Sequence, residues 1–393
     1  MPNIYSDRIK KTKPSFTREI LKVSGNKDII SFAGGLPNPI SFPLKELSES
    51  STRIIRDNKE AVFQYATTEG YLPLRQYIAN RYKKRFGIDF LPEDIMITTG
   101  SQQGLDLLGK VFINKGDKIL IEEPGYLGAI QAFSLFEPEF IPLTLEEDGV
   151  NLSELEEALK KDKVKLYYCV PNYQNPTGLS YSSEKREAVY KILQKYNVVL
   201  VEDDPYSELC FDNVTLPYIG ANKLENSILF GSFSKTITPG MRLGFLCTKN
   251  KEIMQYVITA KQGSDLHTNI FGQHLIHDYL QHNDYEEHIS KIKSLYQLQC
   301  NTMLEAMKKH FPDYVSYTTP NGGMFIWATL HNGLPTIDLI HEATNAKVLF
   351  VPGDPFYTYR ERVNTMRLNY TNSDIDTINE GIKRLAMILK QHE

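Results

Sequence analysis

Seven short apolar runs, separated by amphipathic stretches, fill the first two thirds of the chain: MITTG ending at Gly100, KILIEE from Lys118, FIPLTL from Phe140, KLYYCV from Lys165, VVLVEDD from Val198, SILFGS from Ser227 and LGFLCT from Leu243. Runs of this length, rich in Val, Ile and Tyr, predict βαβ units and a mostly parallel sheet with helices on both faces. The fold class is α/β. Such sheets bind ligands just beyond the carboxyl ends of their strands, so the residues after each run carry the functional expectation.

From about Phe271 to His310 the pattern becomes helical and charged, and beyond it come GGMFIWATL from Gly322, KVLFVPG from Lys347, NTMRLNY from Asn364 and a final helix. These predict a smaller α/β lobe. The expected division is an N-terminal arm and part of the small domain over 1–45, a large domain over 46–280 and a small domain over 281–393. No fixed-period repeat or Gly/Ser linker interrupts the chain, so the lobes should pack closely.

Composition excludes several functions. With 44 Lys+Arg against 48 Asp+Glu and a net charge of -4, the chain lacks the basic excess that phosphate-backbone binding requires. Four cysteines (Cys169, Cys210, Cys247, Cys300) stand far apart without a CxxC pair, and nine histidines show no paired ligand spacing. Neither a metal site nor a disulfide framework is expected, and a reducing cytoplasm fits. No apolar signal core follows the basic N-terminus, and 18 apolar residues never run together, so membrane insertion is not expected.

Four segments carry chemistry. GSFSKTITPGMRLG gathers Ser232, Ser234, Lys235 and Arg242 around a strand end and a Pro-Gly turn. Hydroxyls and a guanidinium can hold a phosphate, and a lysine kept among cations can form a Schiff base with an aldehyde; the same lysine alone could equally be a surface residue. In VPNYQNPTG, Asn175 follows a strand at a sharp turn, although NPTG alone is usually just a turn. VEDDPY ends a buried run in Asp203, with Tyr206 three residues on, and an acid there needs a cationic partner such as a protonated pyridine nitrogen. ITTGSQQGLDLL brings Gly100, Ser101 and Gln102 to a helix start that favours an anion, or simply caps a helix.

Taken together and in this order, the segments resemble the fold-type-I pyridoxal-phosphate enzymes, the class I and II aminotransferases, over essentially the whole length. Within them the chain is similar to the α-aminoadipate and kynurenine aminotransferase group, through ISFAGGLPNP at Ile30, FQYATTEGYLPLR at Phe63, TTGSQQGLDL at Thr98, GSFSK at Gly231, KQGSDLHT at Lys261 and GGMFIW at Gly322. The resemblance implies a seven-stranded sheet, pyridoxal 5'-phosphate as cofactor, and amino acid and 2-oxo acid substrates. It implies that Lys235 forms the Schiff base and moves the proton, that Asp203 keeps the pyridine nitrogen protonated, and that Asn175 and Tyr206 bond the phenolic oxygen.

Tyr126 would stack on the ring, and Ser101, Gln102, Ser232, Ser234 and Arg242 would bind the phosphate. Tyr65 would reach the phosphate of the neighbouring subunit, which implies a homodimer. Arg367 would pair with the substrate α-carboxylate, assisted by Asn175 and the backbone near Gly35. Arg18 would face the substrate side chain, with Gly34 and Gly35 as a hinge; alone, it reads as a solvated helix residue. Two rivals are a lyase or decarboxylase using the same constellation, and a cofactor sensor of the kind fused to winged-helix domains. Only about 30 residues precede ISFAGG, which is short for such a domain.

Overall fold

The computed structural model describes residues 4–12, 28–221 and 223–393. Its strands are β1 (Ile30–Ser31), β2 (Ile95–Thr98), β3 (Lys118–Glu123), β4 (Glu139–Glu146), β5 (Gly149–Val150), β6 (Val164–Cys169), β7 (Val199–Asp204), β8 (Ser227–Ser232), β9 (Gly244–Cys247), β10 (Val315–Tyr317), β11 (Phe325–Leu330), β12 (Val348–Leu349), β13 (Val351–Pro352) and β14 (Thr365–Asn369). Every one of the seven apolar runs is a strand. The large sheet has eight, in the order β2-β9-β8-β7-β6-β3-β4-β5. The additional strand β5 exists because the chain reverses at Glu147-Asp148, and Gly149, with a φ of 133°, starts the strand that lays Val150 against Leu145.

Neighbours β4, β3, β6, β7 and β8 are parallel, whereas β9 runs antiparallel between β8 and β2. The parallel strands β6 and β7 are almost wholly buried, as strands covered on both faces must be. Alternation then sorts the core. Ile119, Ile121, Leu166, Tyr168, Val199 and Val201 pack into one cluster, while Leu120, Tyr167, Cys169 and Leu200 pack into another on the opposite face.

The second sheet is antiparallel, β10-β11-β14-β13. KVLFVPG is divided between two sheets: β12 pairs with β1, bringing Ile30 and Ser31 beside Val348 and Leu349, and β13 pairs with β14 through Val351 and Arg367. Between them Phe350 is fully buried. Long helices cover this sheet, Tyr285–His310 and Ile375–Lys390, the latter capped by the Asp374 carboxylate accepting from the Thr377 N–H. Among the described residues, no helix is long and apolar enough to cross a membrane, and no group of three or more His, Cys, Asp or Glu could hold a metal ion.

Candidate active site

The carboxyl ends of β2, β3, β6, β7 and β8 share one edge, and antiparallel β9 delivers its amino end there as well. That is how residues from Ser101 to Arg242 converge. Asp203 lies near the end of β7 on the same face as Val199 and Val201, which aims it at the neighbouring strand's Tyr168. The Tyr168 hydroxyl donates to Asp203 Oδ2 at 2.8 Å, while Oδ1 is buried without a partner. Burial pushes the Asp203 carboxyl up to about 7; the Tyr168 bond works against this and Asp204 adds to it. A buried acceptor left open in this way calls for a cationic N–H.

Lys235 follows β8, and its Nζ donates to the Gly35 carbonyl at 2.8 Å. Burial pushes the amine from its ordinary 10.5 down to about 8, and the Arg367 and Arg242 guanidinium groups act in the same direction. About a tenth of Lys235 is therefore neutral and nucleophilic at pH 7, far more than of an ordinary lysine. Tyr126 follows β3 and feels Asp203, Arg367 and Arg242; burial pushes its hydroxyl up to about 12. Tyr206 is 4% exposed and is also pushed up by burial, with the Asn175 side chain pulling the other way.

An anion cradle forms where β2 meets the helix Gly100–Phe112. Gly100 has a φ of +70°, and a Cβ there would stand 2.7 Å from Arg242 Nη2, so the guanidinium lies directly against the helix start. A Cβ on Gly244 would meet the Ser101 nitrogen at 2.9 Å. Ser101 Oγ is buried with no partner, and Ser232 Oγ accepts from the Ser234 N–H at 3.1 Å. Gln102 stands at the same helix start, where its main-chain N–H can serve the cradle while its side chain donates to the Gly128 carbonyl at 3.0 Å.

Arg367 is 2% exposed. Its Nη1 donates to Asn175 Oδ1 at 2.8 Å and Nη2 to the Ala33 carbonyl at 2.7 Å, while Nε has no partner. The guanidinium carbon sits 4.4 Å from the Phe325 ring centroid and 5.2 Å from that of Phe356. Two aromatic faces thus fix the plane of the fork and leave an edge for a carboxylate. Burial lowers the guanidinium to about 10, so it stays charged at neutral pH.

The structure thus gathers Lys235, Asp203, Tyr206, Asn175, Tyr126, Ser101, Ser232, Ser234, Arg242, Arg367 and the Gly35 backbone at one edge. Tyr65 points outward, 80% exposed, with its ring edge-on to His267 at 5.8 Å. Arg18 lies outside the described residues. Sequence reasoning missed Tyr168 and Phe325, whose roles depend on which strands are neighbours, and Phe356, in the turn Asp354–Phe356 after β13.

The family model for aminotransferases of class I and II matches residues 38–385. The chain belongs to that family. Aromatic-amino-acid aminotransferase 1 of Thermococcus litoralis is 39% identical over 393 residues, covering 98% of this chain and 94% of its own. The 2-aminoadipate transaminase of Thermus thermophilus is 41% identical over 380 residues, covering 96% and 94%. The crystal structure of Pyrococcus horikoshii kynurenine aminotransferase in complex with PMP shares 40% identity and a TM-score of 0.94, covering 99% of this chain and 97% of that one.

This aminotransferase uses pyridoxal phosphate, and its own pocket fits the group. Asp203 Oδ1, Ser101 Oγ and Arg367 Nε are buried polar atoms with no partner among the described residues. One suits a protonated ring nitrogen, one a phosphate at a helix start, and one a substrate carboxylate.

Proposed function

We propose that this aminotransferase accepts α-aminoadipate, glutamate, aromatic and branched-chain amino acids as donors, with 2-oxoglutarate as an acceptor, in the cytoplasm. The relatives named for aromatic amino acids, 2-aminoadipate and kynurenine support this range. The observation that carries the reading is the Arg367 fork, clamped between two rings with Nε open in the pocket that holds Lys235. When bound, pyridoxal phosphate supplies the electron sink that makes loss of the substrate Cα proton feasible.

The chain's own residues do the rest. Asp203 Oδ1 would keep the ring nitrogen protonated, Tyr126 would stack on the ring, and Asn175 and Tyr206 would bond the phenolic oxygen. Ser101, Ser232, Ser234, Arg242 and the Gln102 main chain hold the phosphate. Arg367 fixes the α-carboxylate and so orients Cα–H toward Lys235 Nζ, which removes and returns the proton. The exposed Tyr65 completes the phosphate site of a second copy in a homodimer. The N-terminal arm and residues 281–393 form the smaller lobe over a large domain of 46–280.

Lysine in place of Arg367 loses the two-pronged geometry. Arg367→Lys should lower kcat/KM about 10- to 100-fold for every donor, chiefly through KM. Steady-state kinetics that leave KM unchanged would remove Arg367 from carboxylate binding. Loading of the cofactor-free protein with pyridoxal phosphate should speed up as pH rises and level off above a midpoint of about 8, where Lys235 loses its proton. A midpoint at the ordinary lysine value would contradict that environment.

The substrate range is tested with a donor panel of α-aminoadipate, glutamate, leucine and phenylalanine, each with 2-oxoglutarate. All four should react. Arg18→Ala should slow the acidic donors more than the apolar ones; equal losses would exclude Arg18 from side-chain recognition.

A further inference from the structure

On the sheet face opposite Asp203, its strand neighbours Glu202 and Asp204 are both buried. Arg186, from the helix Ser183–Leu193, enters the same region with 1% exposure. It is among the largest fully buried side chains of the protein, and the chemistry described above does not use it. A buried guanidinium is costly to desolvate, and an apolar side chain of similar volume often fills such a site at no loss of stability. Its presence therefore asks for a reason beyond packing.

Its hydrogen bonds supply one. Nε donates to the Tyr181 carbonyl at 3.0 Å, Nη1 to the Pro217 carbonyl at 3.0 Å, and Nη2 to the Pro171 carbonyl at 2.7 Å and Asn172 Oδ1 at 2.6 Å. Asn172 extends the contact, its Nδ2 donating to Asp204 Oδ1 at 3.0 Å. That same oxygen accepts from the Ser207 N–H at 3.0 Å, and Oδ2 accepts from the Tyr218 hydroxyl. Asn172 is three residues before Asn175, and Asp204 and Ser207 flank Tyr206. One guanidinium and one amide thus tie the loop that carries Asn175 to the turn that carries Tyr206.

We infer that Arg186 and Asn172 are positioning residues for transamination: they hold Asn175 and Tyr206 in register on the cofactor's phenolic oxygen and so set the protonation equilibrium of the loaded site. This rests on the roles proposed above for Asn175 and Tyr206. The ionisable groups that face Arg186 are Glu202, Asp204, Tyr218 and Cys169. Donors bonded to a phenolic oxygen draw off its charge and weaken its hold on a neighbouring proton; slackening them lets that proton persist to higher pH.

The test uses Asn172→Ala holoenzyme, which keeps the three carbonyl bonds of Arg186 but cuts the tie. The pH midpoint of the bound cofactor's visible absorbance should rise by about half to one unit, the worth of a weakened hydrogen bond. kcat should fall more than KM changes. In a Tyr206→Phe background the same substitution should move the midpoint less, since the two act through one contact. An unchanged midpoint with a lowered melting temperature would show a merely structural role and overturn the inference.

If Asn172→Ala does not fold, Arg186→Lys keeps the charge while losing the four-way fork. It should raise the midpoint too, and an unchanged value there overturns the inference equally. Wild-type holoenzyme that yields no oxo acid from any amino acid would refute the functional reading and this inference with it. Normal wild-type turnover with an unmoved midpoint in the variant would refute positioning alone.

Discussion

Lys235→Ala should fold normally and lose transamination by about 10⁴-fold or more. The loss is expected to be this large because the amine has two duties, attachment of the cofactor aldehyde and proton transfer at Cα. Among the described residues, the other cations placed at the site, Arg242 and Arg367, are guanidinium groups that hold their protons. The fold should survive because Lys235 makes a single side-chain hydrogen bond among the described residues, to Gly35, and its removal relieves a desolvated amine held near 8. Single-turnover kinetics together with thermal melting separate the two effects. A variant that turned over at the wild-type rate would overturn the assignment of the site.

Asp203→Asn should combine a large loss of activity with no loss of stability. The amide keeps the shape of the side chain but cannot carry the charge that a protonated ring nitrogen needs. Breaking one side of a buried ion pair costs about 3–5 kcal/mol, or about 10²- to 10⁴-fold in rate. Stability moves the other way. In the cofactor-free protein the Asp203 carboxyl titrates near 7 rather than at its ordinary 3.8, so between those pH values the folded chain binds more protons than the unfolded one. The associated stability is complete below pH 3.8 and drains away as pH rises to about 7, by up to about 4 kcal/mol.

Asparagine has no such titration. Denaturant melts of cofactor-free wild type and Asp203→Asn should therefore diverge from pH 4 to 7 in favour of the variant. Parallel curves would show that Asp203 is not desolvated as described.

The sheet was legible because strands buried on both faces, such as β6 and β7, read as continuous apolar runs, and all seven runs of the sequence are strands. Strand β5 was not, since two residues after the Glu147-Asp148 turn leave no periodicity to read. KVLFVPG looked like one strand, but the chain passes from one sheet to another around Phe350, a change of partner that local pattern does not encode. In the site, Asp203, Asn175 and Lys235 were visible because Asp203 ends an apolar run and the other two follow one closely, each with an unusual polar group.

Tyr168 was hidden among 23 tyrosines, and its bond to Asp203 follows from the pairing of β6 with β7. Arg186 was hidden for a different reason. In SEKREAV it stands among charged neighbours and reads as solvated, yet it is turned inward, where main-chain carbonyls receive it. Gln102 was assigned by its neighbours in the motif, and the structure separates its side chain, on Gly128, from its main chain at the helix start.

The most direct test of the whole account is a single half-reaction. Holoenzyme mixed with glutamate in the absence of any oxo acid should release one equivalent of 2-oxoglutarate per site, convert its cofactor to pyridoxamine phosphate, and then stop until an oxo acid is added. Continued release of ammonia with the cofactor unchanged would contradict it.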